Sequence, residues 1–520
     1  MQYNLYDRFL YLLYVTPNRL IKVILAILLT KMFQFLVKRA SATELENSSY
    51  TGSKLLSLQN SGWPKPKLAS FAFALVFLFR YTRVALTVLG HSRYRPTAIS
   101  KFPTYKASDV TVVIPTTDMM PETFHTVVRS ILKHSISKLI ITTAGSKARV
   151  QEAEFPSLFS DPRIMFLHCD EKGRRKQTAH AMPYVHAPLL ILQDDHTYWP
   201  PKKSWLKSVL TPFDEPNTGA VGVGLEARHR QHPFSFAGFM NFLGMTYLDR
   251  RRYEYCGTYG IDRGISTLSG RFGAFRTKIY ADENFLEAYL NERVWHNSGP
   301  LDADADKFHT RWLIEHGWDI ALQAGPEATM TTELGEWPRY KGQVIRWLRT
   351  SCRSNPSSLS HKISWVRHPY TTFTLFAWFF RLSLIQEPLM FWLLRATLKA
   401  HDMLPVFRKT AITLYAFVTI MKFIKISAHL QKYPSDFVYF PSYILFGYYC
   451  TLVKIWAFFT WCNISWTTAN VAKAPAEAAV VQEHQSLDEI PNNTYAESAQ
   501  GITSRVRMQL GPLGSKTLYV

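Results

Sequence analysis

Membrane-length apolar runs stand on both sides of a long stretch with the texture of a soluble α/β domain, and this bracketing constrains the fold more than any other feature. Leu20 to Val37 is near the minimum length for crossing a bilayer, and Ala69 to Gly90 is a second run, interrupted by Arg80 and Arg83. Between them, Ser41 to Lys67 is polar, carries Gly and Pro punctuation and contains an Asn47-Ser48-Ser49 sequon, as an exposed loop would. Beyond Pro356 the chain turns oily again over Phe373 to Leu394, Ala411 to Ile426 and Phe437 to Trp461. The first of these holds Arg381, Gln386, Glu387 and Pro388, which are costly at a bilayer centre, so an interfacial helix or a broken pair competes with a span. From Ala474 to Val520 no apolar period is sustained, as in a flexible tail. The expected division is an N-terminal membrane region (1–108) with two spans, a cytosolic catalytic domain (109–355), interfacial and transmembrane helices (356–466) and a tail (467–520).

Hydrophobic residues make up 47% of the chain while its net charge is +21, so oily segments have to alternate with basic ones. That mixture suits an integral membrane protein with a basic cytosolic face, and the charge itself answers equally to leaflet attraction and to an anionic substrate. The five cysteines show no CxxC spacing and are expected to be reduced thiols rather than zinc ligands or disulfides. The first apolar run lacks a small-residue cleavage site, so the N-terminus is expected to be retained.

Within Asp109 to Asn355, buried-strand patterns occur at Val110 to Pro115, Lys138 to Thr143, Arg163 to His168 and Leu189 to Gln193. Strands separated by helix-length connections imply an α/β fold with a mostly parallel sheet. Ligands of such sheets sit at the carboxyl ends of the strands, where Thr116, Asp118, Asp170 and Asp194 fall.

Four motifs carry the chemistry. Asp194-Asp195-His196 follows a strand, and groups two apart on an extended segment can share one hard divalent cation, although a solvated turn has the same composition. Asp304 and Asp306 open a helical stretch, where acids suit the helix dipole and where one carboxylate can act as a general base. Gln343, Arg346 and Trp347, with Arg349 and Arg353 behind them, offer an amide, phosphate-binding forks and an indole that fits a sugar face. A basic amphipathic helix resting on lipid headgroups would look the same. Lys172, Gly173, Arg174 and Arg175 form a basic turn suited to a nucleoside diphosphate, and flanking membrane segments argue against nucleic acid. Ser269-Gly270 is a weaker signal, a turn where a substrate can approach the backbone.

Taken in order, these motifs resemble the family 2 processive glycosyltransferases, whose familiar members are hyaluronan, chitin and cellulose synthases, and most nearly a fungal subgroup described as type 2 glycosyltransferases. The resemblance spans most of Asp109 to Asn355. It implies a GT-A-like domain flanked by transmembrane helices, with metal (Mn2+ or Mg2+) and diphosphate at Asp194 and His196. It also implies a base at Asp306 and a QxxRW signature at Gln343, Arg346 and Trp347. Thr116, Asp118, Asp170, Lys172, Arg174, Arg175, Ser269 and Gly270 would contact the donor. Departures leave alternatives open. Asp195 rivals His196 as second metal ligand, Asp304 rivals Asp306 as base, and Asp118 or Asp170 replaces a nucleobase-contacting aspartate absent from Ile141 to Ser146. Ser465-Trp466-Thr467-Thr468 resembles a cytosolic motif of hyaluronan synthases and favours a cytosolic tail.

The expectation is an inverting transferase, integral to the plasma membrane with its catalytic domain in the cytosol, that takes a UDP-sugar and extends and extrudes a β-linked extracellular or cell-wall glycan. Single transfer to a lipid acceptor, as by ceramide glucosyltransferases, is the alternative, and a non-catalytic membrane scaffold is the third reading. The sequence sets no oligomeric state.

Overall fold

A computed structural model describes residues 65–229, 232, 234–294 and 299–464. The expected span at Leu20 to Val37, the Asn47 sequon, the Ser465 to Thr468 motif and the C-terminal tail lie outside the described residues.

The four strands expected from sequence form β1 (Val110–Pro115), β2 (Lys138–Ala144), β3 (Ile164–Cys169) and β4 (Leu189–Gln193). They belong to a seven-stranded sheet ordered β3-β2-β1-β4-β8-β6-β9, completed by β6 (Thr218–Val223), β8 (Phe272–Arg276) and β9 (Asp319–Gln323). Every pairing is parallel except those of β8, which runs antiparallel to both β4 and β6. The sheet is thus mostly parallel, as the alternation of strands and helices implies. In β1, Val112 and Ile114 point to one face, packing with Trp205 and Phe213, while Val113 points to the other with Leu190 and Tyr280. Helices cover both faces, which is why these strands read as unbroken apolar runs. A smaller sheet, β5 (Thr197–Tyr198), β10 (Met330–Thr332) and β7 (Leu225–Ala227), lies beyond the end of β4.

Among the described residues three helices are long and apolar enough to cross a membrane, over Leu68–Arg93, Leu404–Ile424 and Pro434–Phe459. Phe71, Leu75 and Leu78 on the first, and Leu445, Trp456 and Phe459 on the third, point outward, as residues facing lipid would. The ambiguous stretch Phe373 to Leu394 is a broken pair: Pro369–Phe380 stops at Arg381, and Ser383–Ala400 begins two residues on. The helix Lys65–Arg93 crosses the long helix Phe236–Asp262 with backbones in contact. A Cβ at Gly90 would fall 1.9 Å from the carbonyl oxygen of Gly257, and one at Gly260 1.9 Å from that of Gly90, so only glycine allows the crossing.

Candidate active site

The site is assembled where β4 ends. Asp194, immediately after Gln193, donates its backbone N–H to the carbonyl of Arg271 at 3.2 Å, which ties the strand end to the Ser269-Gly270-Arg271 turn that leads into β8. Asp194 Oδ1 is ion-paired with Arg174 Nη1, and Arg174 Nη2 donates to the carbonyl of Gly270. Burial works against the Arg174 charge, but Asp194 and other nearby groups outweigh it and hold the guanidinium above its usual range.

Asp195 and His196 form a second unit. Asp195 Oδ2 accepts from Thr116 Oγ1 at 2.8 Å, joining the ends of β1 and β4, and Asp195 Oδ1 lies 2.9 Å from His196 Nδ1. Burial would raise the Asp195 carboxyl, yet His196 and Thr116 prevail and hold it below the ordinary carboxylate range. With Nδ1 facing Asp195, His196 presents Nε2 towards Asp194, 4.0 Å from its Oδ2. Two ligand atoms about 2.0–2.2 Å from one ion stand roughly 3 to 4 Å apart, so this pair can clasp a single divalent cation. Among the described residues no three His, Cys, Asp or Glu side chains gather as a metal site, and a cation held by this pair would have positions open to phosphate oxygens and water.

The two rival bases part company. Asp304 is buried, and Arg353 grips it through Nε at 2.8 Å and Nη2 at 3.0 Å while Thr350 Oγ1 donates at 2.6 Å. Three of its four lone-pair positions are committed to these donors, which marks Asp304 as a structural anchor rather than the base. Asp306 opens the helix Ala305–Glu315, and one oxygen, Oδ1, accepts from the Lys307 backbone N–H at 2.9 Å. A Cβ at Gly270 would lie 3.6 Å from Arg174 Nη1 and 3.7 Å from Asp306 Cβ, so the glycine turn is in reach of both side chains.

Gln343, Arg346 and Trp347 share one face of the helix Arg339–Ser360 because three- and four-residue steps nearly complete a turn. Burial lowers the Arg346 guanidinium, and the charges of Asp194 and Asp306 oppose that shift. Trp347 stacks on Tyr247 with ring centroids 4.8 Å apart and planes at 17°, and the Arg271 guanidinium lies 5.3 Å from its ring centre.

Other expectations change. Arg175 points into the core, where its guanidinium donates to the carbonyls of Tyr289 and Ala303 and pairs with Glu292; a donor phosphate cannot reach it. Arg349 and Arg353, read as phosphate forks, bind Thr460 Oγ1 and Asp304 instead. Asp170 and Lys172 are exposed on the edge-strand side, where Asp170 pairs with Arg149 at 2.6 Å; three strand spacings, about 14 Å, separate β3 from β4. Asp118 stays near Thr116, with Oδ1 accepting from Gln151 Nε2 at 2.8 Å. Ser269 lines a pocket with Arg251, Thr267 and Tyr255 next to the turn. Gly173 is required where it stands, because at its φ of +148° a Cβ would meet Asp302 Oδ1 at 2.7 Å, the carboxylate that caps the Arg175 N–H at 3.0 Å.

Sequence reasoning missed Arg251, Arg271 and Lys307. Arg271 is the basic residue inside the glycine turn, and Arg251 lies in the Arg250-Arg251-Arg252 run of a helix; each influences, or is influenced by, Asp306. The Lys307 ammonium is buried between Ser266 O at 3.2 Å and Asn355 Oδ1 at 3.1 Å, and burial, only partly offset by Asp306, pushes it down to about 7.

Arg174 is paired with Asp194, and the guanidinium charges of Arg174, Arg271 and Arg346 act on both Asp194 and Asp306 while that of Arg251 acts on Asp306, an excess of positive charge that favours a small polyanion.

A profile described as "Glycosyltransferase like family 2" matches residues 107–350. A type 2 glycosyltransferase of Zymoseptoria tritici is 32% identical over 77% of this chain and 84% of its own length. Another, of Gibberella zeae, is 31% identical over 78% of this chain and 76% of its own. An NDP-glycosyltransferase of Aspergillus luteorubrus is 26% identical over 54% of this chain and 70% of its own. Among solved structures, a mannosyltransferase of Pyrobaculum calidifontis in complex with GDP-Man and Mn2+ superposes with a TM-score of 0.44 at 14% identity, over 74% of this chain and 97% of its own, too distant to bear on activity.

Proposed function

The chain belongs to the type 2 glycosyltransferases, and from that premise we propose that it is a membrane-embedded inverting enzyme that takes a UDP-sugar and extends a β-linked extracellular or cell-wall polysaccharide from the cytosolic side. The observation that carries the reading is the Arg174–Asp194 ion pair at the carboxyl end of β4, with the charges of Arg271 and Arg346 acting on Asp194 and Asp306 as well. A diphosphate supplies the negative charge these guanidiniums lack, and arginine forks match its oxygens.

Asp306 is the base in this reading. The acceptor hydroxyl loses its proton to the Asp306 carboxylate as its oxygen attacks the anomeric carbon, and the bond from that carbon to the diphosphate breaks on the opposite side. Configuration inverts without a covalent intermediate. The departing diphosphate carries its charge towards Arg174 and Arg346, which stabilise it as it develops. Trp347, stacked on Tyr247, offers the apolar face of a sugar a flat surface for the acceptor. Mn2+ or Mg2+, held by Asp194 with His196 oriented by Asp195, would neutralise the leaving diphosphate.

The membrane-length helices next to the catalytic domain support synthesis coupled to export of the glycan at the plasma membrane. The test is a panel of UDP-sugars offered to purified full-length protein with Mn2+ or Mg2+, reading UDP release and product size. Release of UDP that Asp306→Asn abolishes, with a polymeric product, supports the reading. A single sugar on lipid removes the polymerase assignment, and no release from any donor removes the catalytic one.

A further inference from the structure

Away from the diphosphate site, four cations crowd one carboxylate. Arg83 on the helix Lys65–Arg93, Arg250 on Phe236–Asp262, Arg381 in the break after Pro369–Phe380, and Lys425 just past Phe407–Ile424 all act on Glu254. Arg83 Nη1 and Arg381 Nη2 each stand 3.5 Å from the same oxygen, Glu254 Oε1, too far for either to form a tight pair. Lys454 adds a further cation beside Arg381, with its ammonium on the carbonyls of Trp378 and Arg381. Glu387 brings no relief, since Arg80 at 2.5 Å, Lys422 at 2.8 Å and the Tyr448 hydroxyl at 2.5 Å already share it. Among the described residues the cluster is therefore short of negative charge.

Its location narrows the missing anion. Arg381 lies between two helices outside the three membrane-length ones, and Lys425 directly follows the candidate span Leu404–Ile424. Lys425, at a span end, lies at the level of lipid headgroups, and Arg83 reaches the shared Glu254 from within the span Leu68–Arg93. Like charges crowded together repel unless an anion joins them, a repulsion that a bound phosphate would offset.

We infer that Arg83, Arg250, Arg381 and Lys425 form a binding site for the phosphate group of an anionic membrane lipid. The site shares no residue with the diphosphate site and does not depend on the donor assignment. Full-length protein in neutral detergent is titrated with fluorescent phosphatidic acid, with inorganic phosphate and pyrophosphate as separate arms, and UDP release is followed in parallel. Saturable lipid binding that weakens about tenfold in the Arg381→Gln, Lys425→Gln double variant is the expected result. Glu254→Gln, which removes the competing carboxylate, is expected to tighten binding, and it decides the matter if the double variant does not fold. Absence of saturable binding to the wild type, unchanged affinity in the double variant, or weaker binding by Glu254→Gln overturns the inference. Inorganic phosphate or pyrophosphate binding as tightly as the lipid overturns its lipid part. Loss of UDP release in every preparation would count against the catalytic reading alone, since lipid binding is measured without donor.

Discussion

Arg174 closes over Asp194: its Nη1 pairs with the carboxylate that the sequence marks for a cation, and its Nη2 holds the Gly270 carbonyl. One side chain thus occupies the place where donor phosphate and metal would meet. Removing it separates two effects. Arg174→Gln is expected to raise the KM for the sugar nucleotide about tenfold or more, the loss of a charge-assisted contact. The same variant should bind Mn2+ more tightly without donor, because Asp194 is released. Calorimetric titration with Mn2+ alone checks this, and weaker Mn2+ binding would contradict the assignment of Asp194.

Asp304 and Asp306 stand two residues apart and should fail in different ways. Asp306→Asn is expected to lower kcat by about 10²- to 10⁴-fold with thermal stability nearly unchanged. Asp304→Asn leaves the Arg353 guanidinium buried without its counter-charge and should cost about 3–5 kcal/mol of stability. Melting curves beside UDP-release rates distinguish the two. Loss of activity in a fully stable Asp304→Asn enzyme would restore Asp304 as a candidate base.

Lys307 gives stability a pH dependence of defined sign. Its folded value of about 7 lies below its unfolded one, so between roughly pH 7 and 10.5 the unfolded chain binds the extra proton. The favourable contribution of the neutral amine is complete above that window, declines as pH falls through it by up to about 1.4 kcal/mol per unit, and levels off below pH 7. Lys307→Met should flatten this slope in denaturant titrations from pH 6 to 10; an unchanged slope would show that another group produces it.

Trp347 is expected to matter for the acceptor rather than the donor. Trp347→Ala forfeits the Tyr247 stack, worth about 0.5–1.5 kcal/mol, and the surface beneath the sugar. Product chains should shorten, while donor hydrolysis without acceptor continues near its original rate. Trp347→Phe should recover most of the length. Size-exclusion analysis of the glycan reads both variants.

Legibility followed the kind of physics each element depends on. Val110–Pro115 and Leu189–Gln193 are bounded in the structure as in the sequence, because a buried parallel strand is a continuous apolar run between turns. Phe272–Arg276 passed unseen. It contains two phenylalanines and two small residues with no β-branched side chain, and it is a strand because β4 and β6 pair with it on both sides. In Thr218–Val223 two glycines interrupt the β-branched residues and hide the strand pattern. At the site, strand-end position and residue type indicated Asp194, His196 and Asp306. They could not separate Arg174, which faces the cavity, from Arg175, which faces Glu292, since adjacent residues differ only in the direction that tertiary packing selects. Arg353 looked like a phosphate ligand on composition alone; its partner, Asp304, lies 49 positions earlier in the chain.

Arg353 has a second attachment. While its Nε and Nη2 hold Asp304, its Nη1 donates to the carbonyl of Trp461 at 2.7 Å and to that of Asn463 at 3.2 Å, just beyond the last membrane-length helix. The loop that carries the proposed proton acceptor is therefore pinned to the end of a membrane-length helix by a single fork. A catalytic fragment cut free after Asn355 would keep all the reacting groups but lose half of this fastening, so the enzyme cannot be divided at the boundary where its composition changes.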